Sequence, residues 1–128
     1  MTTALDQSSV QVLPVCESGC SPDLAIADLR ASALDPELAK RMAEFFGMLG
    51  DGNRLRIISV LARQELCVHD LAMVMQMSES AVSHHLRILR TMRLVSFRKH
   101  KRQVFYRLLD HHVLQLYQSV FEHLQEAN

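Results

Sequence analysis

The 128-residue sequence has no apolar run that approaches the roughly 20 residues of a membrane-spanning helix. Its first 20 residues lack both the basic segment and the continuous apolar stretch of a secretory signal. Only three cysteines are present, Cys16, Cys20 and Cys67, and an odd number does not suit a disulfide framework. These absences predict a cytoplasmic chain with no membrane partner, whose thiols serve metal binding, redox chemistry or simple burial.

Catalytic motifs are missing as well. The sequence contains no H-E-x-x-H zinc motif, no nucleophile motif and no glycine-rich phosphate loop. A zinc hydrolase would also need an open coordination position, a general base and a substrate cleft. We therefore expect a protein that is not an enzyme and that has no small-molecule substrate.

Acidic residues are absent from one long window, between Glu79 and Asp110. The formal net charge of the chain is zero, with 14 basic and 14 acidic residues, yet this window alone holds eight arginines and lysines. A neutral chain with one concentrated basic block predicts a face that binds a polyanion. The alternative is a solvated run of charge.

Most of the chain has the apolar spacing of helices, and its 48% hydrophobic content suits a modest core. Residues 1–21 are polar and aperiodic, which predicts a mobile N-terminal arm, and residues 22–128 are expected to form one domain. Ser21-Pro22 and Asp35-Pro36 each have the pattern of a helix start. A Gly-Asp-Gly break at residues 50–52 separates the helix that starts at Pro36 from the next helix, which has Leu55, Ile58 and Leu61 or Ala62 on one face.

Residues 65–94 contain the most informative pattern. The spacing of Val68, Leu71, Ala72 and Met75 predicts a short amphipathic helix. Ser78 can cap the start of a second helix, with Val82, Leu86 and Leu89 inward. Two short helices joined by a tight turn, the second polar on its outer face, predict a helix-turn-helix whose second helix enters the major groove of DNA. The alternative is a helical hairpin that binds nothing.

The side chains of this second helix that we predict to contact DNA are small, hydrogen-bonding or basic. They are Ser78, Ser80, Ser83, His84, His85, Arg87 and Arg90.

A β-hairpin is predicted directly after this helix, since apolar and polar residues alternate on both sides of Lys99-His100-Lys101. Basic residues at its tip can follow a phosphate backbone or the minor groove: Arg98, Lys99, Lys101 and Arg102. An edge hairpin protected by charge is the alternative. Together the patterns predict a winged helix-turn-helix, mainly α with a small β-hairpin, that binds double-stranded operator DNA.

Residues 110–126 have the pattern of one helix with metal-binding side chains at both ends. Asp110 and His112 open it, and His123 and Glu126 end it. At a rise of 1.5 Å per residue the two histidines lie about 16 Å apart, whereas zinc–ligand bonds are about 2 Å long. One helix therefore cannot close these groups around one ion. Taken singly, each residue could also be a helix cap, a packed histidine or solvated charge.

Three separated stretches resemble the ArsR/SmtB family of bacterial metal-responsive repressors. They are DGNRLRIISVLARQELCVHDLA, SESAVSHHLRILR and LVSFRKHKRQVFYRL. The resemblance covers roughly residues 36–128, and the D-x-H and H-x-x-E pattern of the last helix is similar to the zinc-sensing SmtB-like branch. It implies a homodimer in which the terminal helices pack against each other. If they run antiparallel, Asp110 and His112 of one chain meet His123 and Glu126 of the other, which forms two zinc sites per dimer.

The resemblance also implies a second metal site. Relatives often have E-L-C-V-C-D-L, which Cys67 and Asp70 match, while His69 replaces the second cysteine. If Cys16 and Cys20 fold over from the arm of the other protomer, a site formed with Cys67 and Asp70 or His69 would be rich in thiolate, which suits zinc, cadmium, lead or copper(I). The alternative is that Cys67 is a small buried residue and that the two arm cysteines have no fixed structure.

For function, the resemblance implies that the metal-free dimer binds its operator and that metal binding releases it, which derepresses genes of metal resistance or sequestration. A DNA-binding regulator with a structural metal, or with cysteine redox chemistry as its input, is the alternative.

Overall fold

The computed structural model describes residues 12–126. A mobile arm was predicted for residues 1–21, and its first 11 residues lie outside the described part of the chain. The chain divides into two compact units, Met1–Leu34 and Asp35–Asn128. In chain order, the elements are α1 (Ile26–Ser32), α2 (Pro36–Leu49), α3 (Gly52–Leu61), α4 (Val68–Met75), α5 (Glu79–Thr91), β1 (Val95–His100), β2 (Gln103–Leu108) and α6 (His111–Glu126).

The first unit contains α1, a short helix without buried residues. The prediction that Ser21 caps a helix at Pro22 is wrong. The Ser21 carbonyl oxygen instead accepts a hydrogen bond from the Leu24 amide at 3.2 Å, which closes a turn, and α1 begins only at Ile26. Proline is favoured at the second position of such a turn for the same reason that it is favoured at a helix start, namely its fixed φ.

The helix starts of the second unit agree with the sequence. Asp35 caps α2 and Ser78 caps α5, each through a side-chain oxygen that accepts a backbone amide of the first turn. Asp51 caps α3, where its Oδ1 accepts from the amides of Asn53 at 3.0 Å and Arg54 at 3.1 Å. The hydrogen bond from the Arg54 amide is the main cause that lowers the pKa of the Asp51 carboxyl below its ordinary value.

The core of the second unit lies where α3, α4 and α5 pack together. Of the apolar residues predicted for the inner faces of α4 and α5, Val68 is half-buried and the others are confirmed as buried: Leu71, Ala72, Met75, Val82, Leu86 and Leu89. In α3, Ile58 and Leu61 are buried as predicted, but Leu55 is exposed and Ile57 is fully buried in its place. This helix has apolar side chains on two faces, and spacing alone did not distinguish the core face from the other.

The two strands form an antiparallel hairpin, with Val95 opposite Leu108 and His100 opposite Gln103. Leu66 adds one bridge to this sheet, because its backbone exchanges hydrogen bonds with that of Tyr106 at 2.8 and 3.2 Å. The turn falls at residues 101 and 102, so Arg98 lies within β1 and not at the tip. A helix-turn-helix of α4 and α5 followed by this hairpin confirms the predicted winged helix-turn-helix. Among residues 12–126, no helix is long and apolar enough to cross a membrane.

Candidate nucleic-acid interface and metal centres

The outer face of α5 presents polar side chains next to one another. Ser80, His84 and Arg87 are exposed and Ser83 is half-buried. The hydroxyl of Ser78 caps the helix and lies 3.2 Å from the Ser80 hydroxyl, so it is already engaged within the turn. This face therefore offers hydroxyl, imidazole and guanidinium groups that can bond base edges or phosphates.

Arg90, near the end of α5, is held by the hairpin. Its guanidinium lies over the Phe97 ring of β1, 4.3 Å from the ring centroid. Such stacking orients the planar cation while its N–H groups at the edge stay available. The sequence places Phe97 only in an alternating strand pattern, so this role of its ring was not predicted.

The hairpin divides its basic residues into two groups. Lys99, Lys101 and Arg102 are exposed at or beside the turn, and Lys101 has the left-handed φ of 58° that the turn requires. Arg98 instead donates from Nε to Glu65 at 2.7 Å. The same carboxylate lies 4.0 Å from Arg107 Nη1.

Glu65 was not predicted as part of this surface. It precedes the acid-free window and is 33 residues from Arg98 in the sequence, so no local spacing relates the two. The bridge between Leu66 and Tyr106 brings Glu65 to the base of the hairpin. The acid-free block is therefore partly neutralised in three dimensions.

The two histidines at positions 84 and 85 have different surroundings. His84 is exposed, whereas His85 is half-buried and its Nδ1 lies 3.3 Å from Arg54 Nε. Arg54 also donates from Nη1 to the Met48 carbonyl oxygen at 2.6 Å. Arg54, like Glu65, was missed in the sequence because it is 31 residues from its partner.

The start of α6 brings two of the predicted metal ligands together. Asp110 Oδ1 accepts a hydrogen bond from the His112 amide at 3.0 Å and lies 3.6 Å from His112 Nδ1. Two ligand atoms of a tetrahedral zinc ion with bonds of about 2 Å are about 3.3 Å apart. This pair of donors thus suits one zinc ion with a small adjustment of the imidazole.

The other predicted ligands of this helix, His123 and Glu126, are exposed one turn apart at its far end. Within residues 12–126 of a single chain, no group of three or more histidine, cysteine or acidic side chains could hold a metal ion. The structure therefore brings together Asp110 and His112, and His123 with Glu126, as two separate halves.

A groove of about 310 Å³ runs beside α6. Its walls are almost entirely apolar, with Phe46 and Leu49 from α2, Leu55 from α3, and Val120 and Phe121 from α6. Phe46, Val120 and Phe121 each leave at least half of their surface exposed. An apolar groove of this kind on a small chain is typical of a protein–protein contact.

The cysteines are distributed over the two units. In the first, the Cys20 thiol donates to Cys16 Sγ at 2.9 Å, and this hydrogen bond raises the pKa of Cys20. In the second, half-buried Cys67 immediately precedes α4 and Asp70 is exposed in its first turn. His69 Nδ1 lies 2.7 Å from the Glu79 carboxylate on α5 and leaves its other ring nitrogen for a further partner.

Comparison with known proteins places these features in a family. The family model described as "Bacterial regulatory protein, arsR family" matches residues 51–96. A transcriptional repressor SmtB homolog of Synechocystis sp. is 48% identical over 116 residues, which cover 91% of this chain and 88% of that protein. A cadmium resistance transcriptional regulatory protein CadC homolog of Staphylococcus aureus is 39% identical over 96 residues, 71% of this chain and 79% of that protein.

The fold agrees with a solved relative. The solution structure of the homodimeric winged helix-turn-helix DNA-binding domain Mb0332 from Mycobacterium bovis superposes with a TM-score of 0.66 at 27% identity, and covers 74% of this chain and 88% of that one. Because the matching family consists of regulatory proteins, the match confirms the prediction that this chain is a regulator and not a zinc hydrolase. On its identity to the SmtB homolog and on its match to the family model, the chain belongs to the arsR family of bacterial regulatory proteins.

Proposed function

We propose that this chain is a metal-sensing transcriptional repressor that acts as a homodimer in the cytoplasm. The metal-free dimer binds operator DNA, and zinc or another soft metal releases it, which derepresses genes of metal resistance or sequestration. The names of its relatives support this proposal, since one is a transcriptional repressor and another a cadmium resistance regulator.

The observation on which the proposal mainly rests is the arrangement of α6. Its metal-type side chains lie at its two ends, and an exposed apolar stripe lies between them. His112, Leu116, Val120 and His123 follow helical spacing along one side. A second copy of the helix, packed antiparallel on this stripe, would cover the apolar surface and bring opposite ends together.

In such a dimer, each metal ion is held by Asp110 and His112 of one subunit with His123 and Glu126 of the other. Two equivalent sites follow from the two-fold symmetry. Two imidazole nitrogens and two carboxylate oxygens form a donor set that suits tetrahedral zinc. The 3.6 Å between Asp110 Oδ1 and His112 Nδ1 supports this assignment.

A second metal site is proposed for the cysteines. In this site, Cys16 and Cys20 of one protomer's arm would join Cys67 and Asp70 or His69 of the other protomer. Thiolate donors favour zinc, cadmium, lead or copper(I). In the proposed repressor, residues 1–21, which include two of these cysteines, form the arm and residues 22–128 form the domain.

The proposed DNA contacts are the side chains of α5 and of the hairpin predicted from the sequence, apart from His85, whose Nδ1 faces Arg54. Two such α5 helices in a dimer would lie about 34 Å apart, one turn of DNA. Exposed Lys99, Lys101 and Arg102 are well placed for phosphates, whereas Arg98 must first leave Glu65.

Metal and DNA are coupled through the segment that follows α5. Asp110 and His112 line a pocket together with Met92, Arg93 and Leu94, which connect α5 to β1. Asp110 and His112 would hold a metal ion beside this segment, so a change in the position of these two side chains would reach the end of α5. The two ligands must then weaken each other by the same factor, typically about 5- to 150-fold.

The test is a fluorescence-anisotropy titration of a labelled duplex, enriched by the wild-type protein from a random-sequence library, with and without zinc. We expect zinc to weaken wild-type binding and to leave His123→Ala binding unchanged. His111→Ala is the matched control, because His111 opens the same helix but is outside the proposed ligand set. Tighter binding with zinc would instead indicate a structural metal, and equal release of wild type and His123→Ala would assign the response to the cysteines.

A second candidate input is thiol oxidation. The 2.9 Å between Cys16 Sγ and Cys20 Sγ favours this alternative, since the two thiols are close enough to form a disulfide after a small movement. Release of DNA by a peroxide, lost in Cys16→Ser and independent of zinc, would support redox sensing over metal sensing.

A further inference from the structure

His84 and His85 are neighbours on α5, but the fold gives them different partners. His84 is exposed on the polar face of the helix. His85 lies three residues after buried Val82 and four before buried Leu89, which places it at the margin of the core face. Its Nδ1 lies 3.3 Å from Arg54 Nε of α3.

Arg54 connects three elements of the second unit. Its Nη1 donates to the Met48 carbonyl oxygen in the last turn of α2 at 2.6 Å, and its backbone amide donates to Asp51, the cap of α3, at 3.1 Å. Its Nε is directed at His85 on α5. One half-buried guanidinium thus ties the end of α2 and the start of α3 to the recognition helix.

The chemistry of this contact selects one tautomer of the His85 ring. A guanidinium is always a donor and never an acceptor, so Nδ1 of His85 must accept and its proton must lie on Nε2. The bond requires the neutral imidazole, because a protonated ring has no acceptor.

We propose that Arg54 and His85 are positioning residues, and that His85 acts in DNA binding through Arg54 and not by contact with DNA. This inference rests on the proposed function, since it assumes that α5 enters DNA. It replaces the sequence-based prediction that His85, like His84, contacts the duplex. The pair holds α5 at a defined angle to α2 and α3.

Arg54 lies next to residues that line the apolar groove beside α6. Leu49 and Gly50, which follow Met48, line the apolar groove beside α6, and so does Leu55 beside Arg54. The hydrogen bonds of Arg54 therefore run from the wall of that groove to the recognition helix. Dimer packing can affect the angle of α5 through this arginine.

Two near-isosteric substitutions separate positioning from DNA contact. The amide oxygen of asparagine takes the place of Nδ1, whereas glutamine places its amide near Nε2. We expect His85→Asn to bind the enriched duplex within about 2-fold of wild type and His85→Gln to bind about 3- to 10-fold more weakly, the range of one lost hydrogen bond. The opposite order, with Gln active and Asn impaired, would overturn the proposal.

His84 is the matched control on the same helix. His84→Asn and His84→Gln remove an exposed imidazole without affecting Arg54, so the preference for asparagine seen at position 85 should be absent there. Arg54→Gln should weaken binding at least as much as His85→Gln, because it also loses the hydrogen bond to the Met48 carbonyl, and the double variant should be no weaker than Arg54→Gln alone. Strictly additive losses would mean that the two residues act separately. Thermal unfolding of each variant identifies any loss that comes from unfolding.

A measurement without DNA tests the contact itself. Nitrogen-15 NMR of the imidazoles in the metal-free protein should show His85 as the Nε2-protonated tautomer, and Arg54→Gln should restore a mixture of tautomers. A proton on Nδ1 of wild-type His85 would overturn the inference whatever the DNA result. If the wild-type protein enriches no duplex, the proposed function fails together with this role of His85, whereas equal binding by all position-85 variants contradicts only the positioning role.

Discussion

The two helices α5 and α6 differ in how much of their apolar surface one chain can bury. The 13-residue α5 has Val82, Leu86 and Leu89 at 0–1% exposure. The 16-residue α6 buries only Val113, although it has apolar residues along its whole length. The recognition helix is thus packed within its own subunit, while the terminal helix has an apolar face suited to another chain.

The same contrast holds for the chemical groups. The polar side chains of α5 share one face and need no second chain to come together. The ligands of α6 form two halves at opposite ends of a helix, and neither half alone satisfies a tetrahedral ion. DNA recognition and metal recognition therefore depend on assembly to different degrees. Substitutions in the core beneath α5 and on the exposed face of α6 test this difference, and smaller effects are expected at the α3 cap and at the hairpin.

The largest effect is expected in the core beneath α5. Leu86→Ala should lower the free energy of unfolding by about 2–5 kcal/mol, because it removes a fully buried side chain and leaves a cavity. Urea denaturation at a fixed protein concentration measures it. Leu86→Met keeps the volume and should cost less than about 1.5 kcal/mol. A loss below that value for alanine would mean that α5 is not the packed helix described above.

The next effect concerns the exposed face of α6. Phe121→Ala should weaken dimerisation by about 2 kcal/mol, a dissociation constant about 30-fold larger, since an aromatic side chain at an interface centre is a typical hot spot. Sedimentation equilibrium measures it. Met73→Ala is the control, because Met73 is more exposed than Phe121 but lies on α4, outside the groove. Equal effects of both substitutions would argue against α6 as the interface.

A smaller effect is expected at the cap of α3. Asp51→Ala should lower the free energy of unfolding by about 1 kcal/mol, because two backbone amides lose their acceptor. Thermal or urea unfolding measures the change, and Asp51→Ser should recover most of it. No difference between the alanine and serine variants would contradict a capping role.

The pH dependence of the same residue follows from its lowered pKa. A carboxyl whose pKa is lower in the folded than in the unfolded state stabilises the protein above the ordinary carboxyl pKa, and this stabilisation is lost as the pH falls through the folded value. Asp51→Asn keeps an acceptor but has no charge. The free energy of unfolding of Asp51→Asn should therefore be lower than that of wild type at neutral pH, and the two should become equal in acid. A difference that persists in acid would contradict the charge effect.

The smallest effect is expected at the hairpin. Glu65→Gln should tighten DNA binding by about 0.2–1 kcal/mol, the usual strength of an exposed ion pair, because it frees Arg98 for phosphate. Lys99→Ala is the comparison, since it should lower the slope of log affinity against log salt by about 0.9. Weaker binding by Glu65→Gln would show instead that the carboxylate is needed to hold the hairpin in place.

The elements that were predicted well are those with short-range signals. The caps Asp35 and Ser78, the break at residues 50–52 and the inward face of α5 all depend on residues within about one or two turns of each other. The helix start predicted at Ser21-Pro22 was wrong because β-turns and helix starts favour the same two residues. The prediction that Leu55 is buried was wrong because α3 has two apolar faces, one that faces the core and one that faces the groove.

The amino-acid order is sufficient to specify the winged helix-turn-helix, the basic block and the presence of metal-type donors at both ends of α6, because periodicity, caps and turn residues act locally. The partners of individual side chains follow from the packing of distant segments. Glu65 meets Arg98, and Arg54 meets His85, across 33 and 31 residues of sequence. Such pairs are close only when α3, α5 and the hairpin share one core, so the contrast between His84 and His85 exists in the folded chain alone.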